Sequence, residues 1–164
     1  MVKKSLLMLF CVVLIISLAI AHPHLRKSLT VNLNGNEVAL AYITFPANME
    51  HISQVGVGDF RWGATLKVGG DLQAEQVTIA AGTYTIGCVR KANKSWAMVL
   101  YPGKLGRGES PDKGLLIELH SMFSTEKGNV DHVSFDIGPG SGMLTGHAVI
   151  MWRFCNHYLA GVIS

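Results

Sequence analysis

Apolar and polar residues alternate in short runs along most of this sequence, and turn residues separate the runs. Leu29, Val31 and Leu33 alternate with polar neighbours, and after the dipeptide Asn34-Gly35 a second alternating run extends to Tyr42. This pattern indicates two strands joined by a tight turn. Further strand-like runs occupy 65–68, 76–79, 83–90, 96–101, 115–120, 132–137, 144–152 and 154–163. Regularly spaced short strands predict an all-β fold, an antiparallel β-sandwich of jelly-roll or immunoglobulin-like architecture.

Helical patterns are nearly absent from the same sequence. No run keeps an apolar stripe at helical spacing for three turns, and only 121–126 is expected to form a single short turn. In the run 132–137, Val133, Phe135 and Ile137 share one strand face and are predicted to point into the core. Bulky aromatic residues on separate runs are interpreted as further core residues: Trp62, Tyr84, Trp96 and Trp152.

The N-terminus has the pattern of a secretory signal peptide. Lys3 and Lys4 precede an uncharged, strongly apolar run from Ser5 to Ala21, which closes with the small-x-small sequence Ala19-Ile20-Ala21. The apolar stretch is shorter than the ~20 residues that span a bilayer. We therefore expect residues 1–21 to be removed on export, leaving no stable membrane anchor and a single secreted or periplasmic domain over 22–164.

Removing the signal also changes the composition of the chain. The full 164 residues are 49% hydrophobic and 15% charged with a net charge of +3, but residues 1–21 hold two lysines and no acidic residue, so 22–164 is close to +1. The remaining basic residues are mostly spread singly and form no run with interleaved aromatic residues. The mature chain is therefore predicted to fold into a compact domain that binds neither nucleic acid nor an anionic membrane surface.

Two cysteines remain once Cys11 leaves with the signal. Cys88 and Cys155 are an even count in an oxidising compartment, where one disulfide between them is consistent with the sequence. The alternative is that they lie on remote strands as two small buried apolar residues.

Three features between Trp62 and Trp152 form a recognisable series. They are the Ala81-Gly82-Thr83-Tyr84 turn and strand, the strand led by Trp96 that follows it, and the run Val133-Ser134-Phe135-Asp136-Ile137. In these features the segment resembles a secreted bacterial family, the domain of unknown function 2911. The resemblance implies a β-sandwich and export to the periplasm or beyond. The family has no established activity, so the resemblance assigns no site residues.

Cleavage after Ala21 would create a candidate metal site at the new N-terminus. The mature chain would begin His22-Pro23-His24, which places a free α-amine and two imidazoles within three residues. Nitrogen donors of this kind favour Cu(II). This start is similar to that of copper enzymes and copper-resistance proteins in which an N-terminal histidine binds the metal.

Two His/Met pairs add soft ligands to this hypothesis. Met49 and His51 are separated by one residue, as are His120 and Met122. In a strand, positions i and i+2 face the same side, so each pair would present a thioether and an imidazole together. The candidate copper ligands are therefore His22, His24, Met49, His51, His120 and Met122; the alternative is that these histidines are solvated and these methionines fill gaps in the core.

No pattern for nucleophilic or paired-carboxylate catalysis stands out. The segment 138–142, Gly-Pro-Gly-Ser-Gly, frames Ser141 with glycines but lacks the Gly-x-Ser-x-Gly spacing of a nucleophile elbow, so a turn is expected there. The long loop 103–114, with Arg107, Glu109 and Asp112, is the other candidate recognition surface.

The interpretation the sequence favours is an exported, non-enzymatic binding or accessory protein that takes up copper. One alternative is a structural or protein-interaction domain with a partner in the cell envelope and no small ligand. The other is a copper-dependent oxidase built on the N-terminal histidine.

Overall fold

The computed structural model describes residues 24–106 and 108–164, with the backbone alone at Lys127, and these residues form ten strands and one short helix. In chain order they are β1 (Arg26–Leu33), β2 (Asn36–Ile43), α1 (Met49–Ser53), β3 (Phe60–Val68), β4 (Leu72–Ala74), β5 (Val77–Ile79), β6 (Gly82–Arg90), β7 (Trp96–Pro102), β8 (Ile117–Glu118), β9 (His120–Pro139) and β10 (Ala148–Ile163). Single 3₁₀ turns lie at Lys113–Leu115 and Gly142–Leu144.

The strands form two packed layers. One is a six-stranded sheet in the order β1-β2-β3-β6-β7-β8, and the other is the long ribbon of β9 and β10; β4 and β5 form a small hairpin. Every strand pair is antiparallel. The prediction of an all-β antiparallel sandwich is confirmed.

Alternating side chains build the core between the two layers. Val38 and Leu40 of β2 are fully buried, and Val133, Phe135 and Ile137 of β9 are buried opposite the sheet as their alternation predicted. The turn between β1 and β2 is the predicted Asn34-Gly35, and both residues have positive φ, as a two-residue hairpin turn requires.

Hydrogen bonds tie strand β9 of the ribbon to the six-stranded sheet at two places. The segment that follows β2 pairs with the middle of β9, since the amide of Val133 donates to the carbonyl of Phe45 (2.9 Å). Near the start of β9, the amide of Met98 on β7 donates to the hydroxyl of Ser121 (2.9 Å). The two layers are therefore tied together by hydrogen bonds as well as by the core.

Three local expectations are wrong. Residues 121–126 lie inside β9 instead of forming a short turn, because they pair with the end of β10. The runs 144–152 and 154–163 contribute to a single strand, β10, interrupted by a bulge around Cys155, whose φ is +54°. The helix α1 was not predicted at all.

Two other predictions lie outside the described residues: the signal peptide at 1–21 and the N-terminal His22. Among the residues that the structure describes, no helix has the length and apolar character to span a membrane.

Candidate functional site

A largely apolar cavity of about 270 Å³ lies between the two layers at one end of the sandwich. The end of β2, the start of β3, the end of β6 and the start of β7 meet there, because antiparallel neighbours bring alternate ends together. The middle of the ribbon closes the opposite side, and α1 with the residues before it covers the opening. The lining residues are Phe45, Pro46, Ala47, Asn48, His51, Ile52, Val55, Arg61, Trp62, Cys88, Trp96, Val133, Trp152 and Phe154.

Aromatic rings form the inner wall of the cavity. Trp152 stacks on Phe135 with ring centroids 4.6 Å apart, and Phe154 contacts Trp152 (5.4 Å) and Trp96 (5.8 Å). Such ring pairs prefer offset and edge-to-face geometries and hold one another in place. Trp96, Trp152 and Phe154 are all buried, so this wall is a fixed surface.

The indole of Trp152 has an unpaired donor. Its Nε1 is buried and has no hydrogen-bond partner among the described residues. A buried N–H without a partner costs about 1–3 kcal/mol. Because Trp152 lines the cavity, this donor belongs to a residue that a bound molecule would contact.

The outer wall is formed by α1, which begins after the N-cap residue Asn48. The Asn48 side chain accepts a hydrogen bond from the amide of Glu50 (2.8 Å), and no residue of α1 is buried. At the other end, Arg90 Nη1 donates to the carbonyl of Val55 (2.5 Å) and, more weakly, to that of Ser53 (3.4 Å). Arg90 thus fastens the end of this wall to β6.

The polar groups at the cavity are few and none of them is acidic. Among the described side chains that line it, the ionisable groups are Arg61, His51 and Cys88, and none is a carboxylate. Burial raises the pKa of the Cys88 thiol far above its usual range, while the nearby Arg61 acts in the opposite direction. Cys88 is therefore a neutral, unreactive part of the wall.

The candidate copper ligands that the structure describes lie on separate elements: His24 precedes β1, Met49 and His51 lie in α1, and His120 and Met122 lie at the start of β9. Among residues 24–106 and 108–164, no set of three His, Cys, Asp or Glu side chains is arranged to hold a metal ion. His24 donates from Nδ1 to the carbonyl of Thr44 (3.0 Å). His120 has its Nδ1 3.3 Å from Glu75 Oε1 at the exposed start of β9.

The geometry assumed for Met49 and His51 is wrong, because both lie in α1 and not in a strand. Residues i and i+2 of a helix do not share a face. His51 accordingly lines the cavity, whereas Met49 lines a separate surface cleft. His120 and Met122 do lie on one strand, and Met122 is exposed.

The pair considered for a disulfide, Cys88 and Cys155, consists of two buried free thiols in the structure. Cys88 lies on β6 at the cavity, and Cys155 lies at the bulge of β10 beside the cleft that contains Met49. Both side chains are buried, on different strands of the two layers.

A larger and more open groove on the surface has a different character. It is polar, measures about 650 Å³, and its charged side chains pair with one another. Lys91 bonds Glu118 at 2.5 Å, and Glu75 is the partner of His120. The loop 103–114 is likewise engaged internally, since Glu109 accepts from the amide of Gly106 (2.6 Å) and Asp112 from that of Gly114 (2.9 Å); Arg107 lies outside the described residues.

Comparison with known proteins adds no assignment to this geometry. No family model matches the chain, and neither a curated protein nor a solved structure matches it. The resemblance to the domain of unknown function 2911 stays a prediction.

Proposed function

We propose that this protein is an exported, non-enzymatic binding protein that holds a small apolar molecule in the cavity between its two layers. The observation that carries the proposal is the cavity itself, about 270 Å³ and lined mainly by aromatic and aliphatic side chains from both layers. Concave, mostly apolar sites with a few placed polar groups are the usual form of small-molecule sites. Export rests on the signal-like sequence of residues 1–21.

The size of the cavity limits the ligand. An apolar cavity of about 150 Å³ is enough to bind benzene. Scaled to about 270 Å³, the site would hold a molecule of about ten non-hydrogen atoms, such as one ring with a short substituent. Burial of its apolar surface at about 25 cal/mol per Å² would supply most of the affinity.

Entry would occur past α1. This helix has five residues, none of them buried, and its hydrogen bonds are long, with Gln54 N to Glu50 O at 3.3 Å. Segments with few buried contacts open at low free-energy cost. Displacing α1 would expose the cavity while leaving both sheet layers intact.

The test uses toluene as the probe and tryptophan fluorescence as the signal. All three tryptophans of the chain, Trp62, Trp96 and Trp152, line the cavity, so a bound ring should change their emission. We expect a saturable change, together with shifts of the Val133 and Ile52 methyl resonances in NMR spectra. Shifts spread over the whole surface, or no saturation, would contradict the proposal.

A matched pair of variants locates the site. Ala47→Phe adds a ring at the cavity lining and is expected to abolish toluene binding, while Ala80→Phe adds the same ring at an exposed position away from it. Circular dichroism establishes that both variants are folded. Equal binding of toluene by the two would place the ligand elsewhere.

The apolar rim of the cavity supports a second candidate, a protein-interaction domain with a partner in the cell envelope. Phe45 and Trp62, which line the cavity, are 39% and 42% exposed, and Met49 is 40% exposed in the neighbouring cleft, which shares 46–48 with the cavity lining. Exposed apolar side chains that lie close together are typical of interaction surfaces. A protein that binds no toluene would favour this second function.

A further inference from the structure

We propose that the ligand is a small aromatic carboxylate, whose ring occupies the apolar interior and whose carboxylate pairs with Arg61 at the mouth. This inference rests on the proposed function and names the ligand class for the same cavity. It follows from the charge of the lining, the hydrogen bonding of Arg61 and the aromatic wall.

The lining has the charge expected of an anion site. Its only permanently charged side chain is the guanidinium of Arg61, accompanied by the imidazole of His51 and the amide of Asn48. No carboxylate among the described residues lines the cavity. A neutral apolar ligand needs no cation there, and a cationic ligand would be repelled.

Arg61 is held in place but is not fully engaged. Its Nη1 donates to the carbonyl of Phe60 (2.9 Å), and its Nη2 is 4.0 Å from the carboxylate of Asp59, which is beyond hydrogen-bond distance. That carboxylate oxygen instead accepts from the amide of Gly56 (2.9 Å). A guanidinium has five N–H donors in a fork that matches a carboxylate, so Arg61 retains donors for a ligand.

The position of Arg61 fits the mouth of the cavity. Its side chain is 55% exposed. On the neighbouring strand β6, however, the residue directly opposite Arg61 is Cys88, which is buried. The charge of Arg61 therefore lies at the boundary between solvent and the apolar interior. A charge in this place attracts the charged end of an amphipathic ligand, while the ring of the ligand reaches Trp96, Trp152 and Phe154.

The experiment compares two probes of equal size, 3-phenylpropanoate and its neutral amide, 3-phenylpropanamide. Each is titrated into the purified protein while tryptophan fluorescence and the Val133 methyl resonance are followed. We expect the carboxylate to bind about two- to fivefold more tightly than the amide, which is the range for a partly exposed Arg–carboxylate pair.

Variants of Arg61 and of a second arginine distinguish a direct contact between Arg61 and the ligand carboxylate from attraction by the overall charge of the protein. Arg61→Met should weaken the binding of the carboxylate without changing that of the amide, so that the two affinities become equal. Arg61→Lys should keep part of the preference for the carboxylate. The control is Arg153→Met on the outer face of β10, because Arg153 is 51% exposed and lies 4.0 Å from Glu126, closely matching Arg61. The control should leave both affinities unchanged.

The outcomes distinguish this inference from the function on which it rests. Equal affinities for the acid and the amide in the wild-type protein would overturn the carboxylate assignment and leave the binding function standing. A preference that survives in Arg61→Met, or disappears in Arg153→Met, would overturn the role of Arg61. Failure of both probes and of toluene to bind would overturn the proposed function itself.

Discussion

Gly63, in β3, lies against the aromatic stack that forms the wall of the cavity. A Cβ atom at this position would come within 2.8 Å of Phe135 Cζ and 3.1 Å of Trp152 Cζ2. Carbon atoms pack best at about 3.5–4.0 Å, so the rings would have to move by about 0.7 Å or more. They cannot bend, and they already stack on each other at 4.6 Å.

Gly63→Ala should therefore destabilise the protein through overpacking. Extra methyl groups in packed cores cost about 1–3 kcal/mol. Replacing glycine by alanine also restricts the unfolded chain, which stabilises by about 0.4–1 kcal/mol. Gly138→Ala on β9 is the control, because a Cβ there meets nothing within 4 Å. Both variants restrict the unfolded chain equally, so the difference between them measures the cost of overpacking alone.

Equilibrium unfolding in urea measures the difference. With a slope of about 2 kcal/mol per M, a steric cost of about 1–3 kcal/mol places the midpoint of Gly63→Ala about 0.5–1.5 M below that of Gly138→Ala. Phenylpropanoate should also bind Gly63→Ala more weakly, because the displaced rings enter the cavity. Coincident midpoints would show that the stack has room to yield and would refute the account of a fixed aromatic wall.

Three further predictions concern the outer wall, pH and copper. Arg90→Met removes the hydrogen bond to Val55 O, so amide exchange at Val55 and dissociation of phenylpropanoate should both become about tenfold faster; unchanged exchange would mean that Arg90 does not fasten the wall. Burial and the nearby Arg90 lower the pKa of His157 in the folded protein, so the unfolded chain binds the proton more tightly. The contribution of neutral His157 to the free energy of unfolding is therefore complete above the unfolded pKa of about 6.5 and declines as the pH falls below it. If the thermal midpoint of His157→Phe had the same pH dependence as that of the wild type, this assignment would be contradicted. A chain starting at His22 is predicted to retain Cu(II) after desalting and to lose affinity when one residue precedes His22, whereas His120→Ala should have no effect; equal retention with the added residue would exclude the N-terminal site.

Local sequence signals predicted the strands because each depends on nearby residues. The Asn34-Gly35 turn and the alternation through Val133 and Ile137 appear in the structure as expected. The segment 121–126 was misassigned because its strand structure comes from pairing with residues of β10 more than thirty positions later. Propensity within a short window contains no information on such a partner.

The helix α1 and the cavity were missed for a related reason. A five-residue helix is too short to show periodicity, although Asn48 is a good N-cap and could have indicated its start. The interpretation of Trp96 and Trp152 as core residues is correct, since both are buried. A sequence does not distinguish an aromatic ring that fills a core from one that also borders a cavity, because that depends on how separate segments meet.

Trp62 is the informative exception among the aromatic residues. It was expected in the core, yet it is 42% exposed at the mouth of the cavity, near the unpaired indole donor of Trp152 within the same lining. A buried N–H without a partner costs about 1–3 kcal/mol, and a partly exposed tryptophan forgoes part of the free energy that its burial would contribute. Departures from stable packing that coincide at one place are typical of functional sites. Both departures lie on the lining that also contains Arg61, and the proposed ligand would cover Trp62 and fill the space beside Trp152.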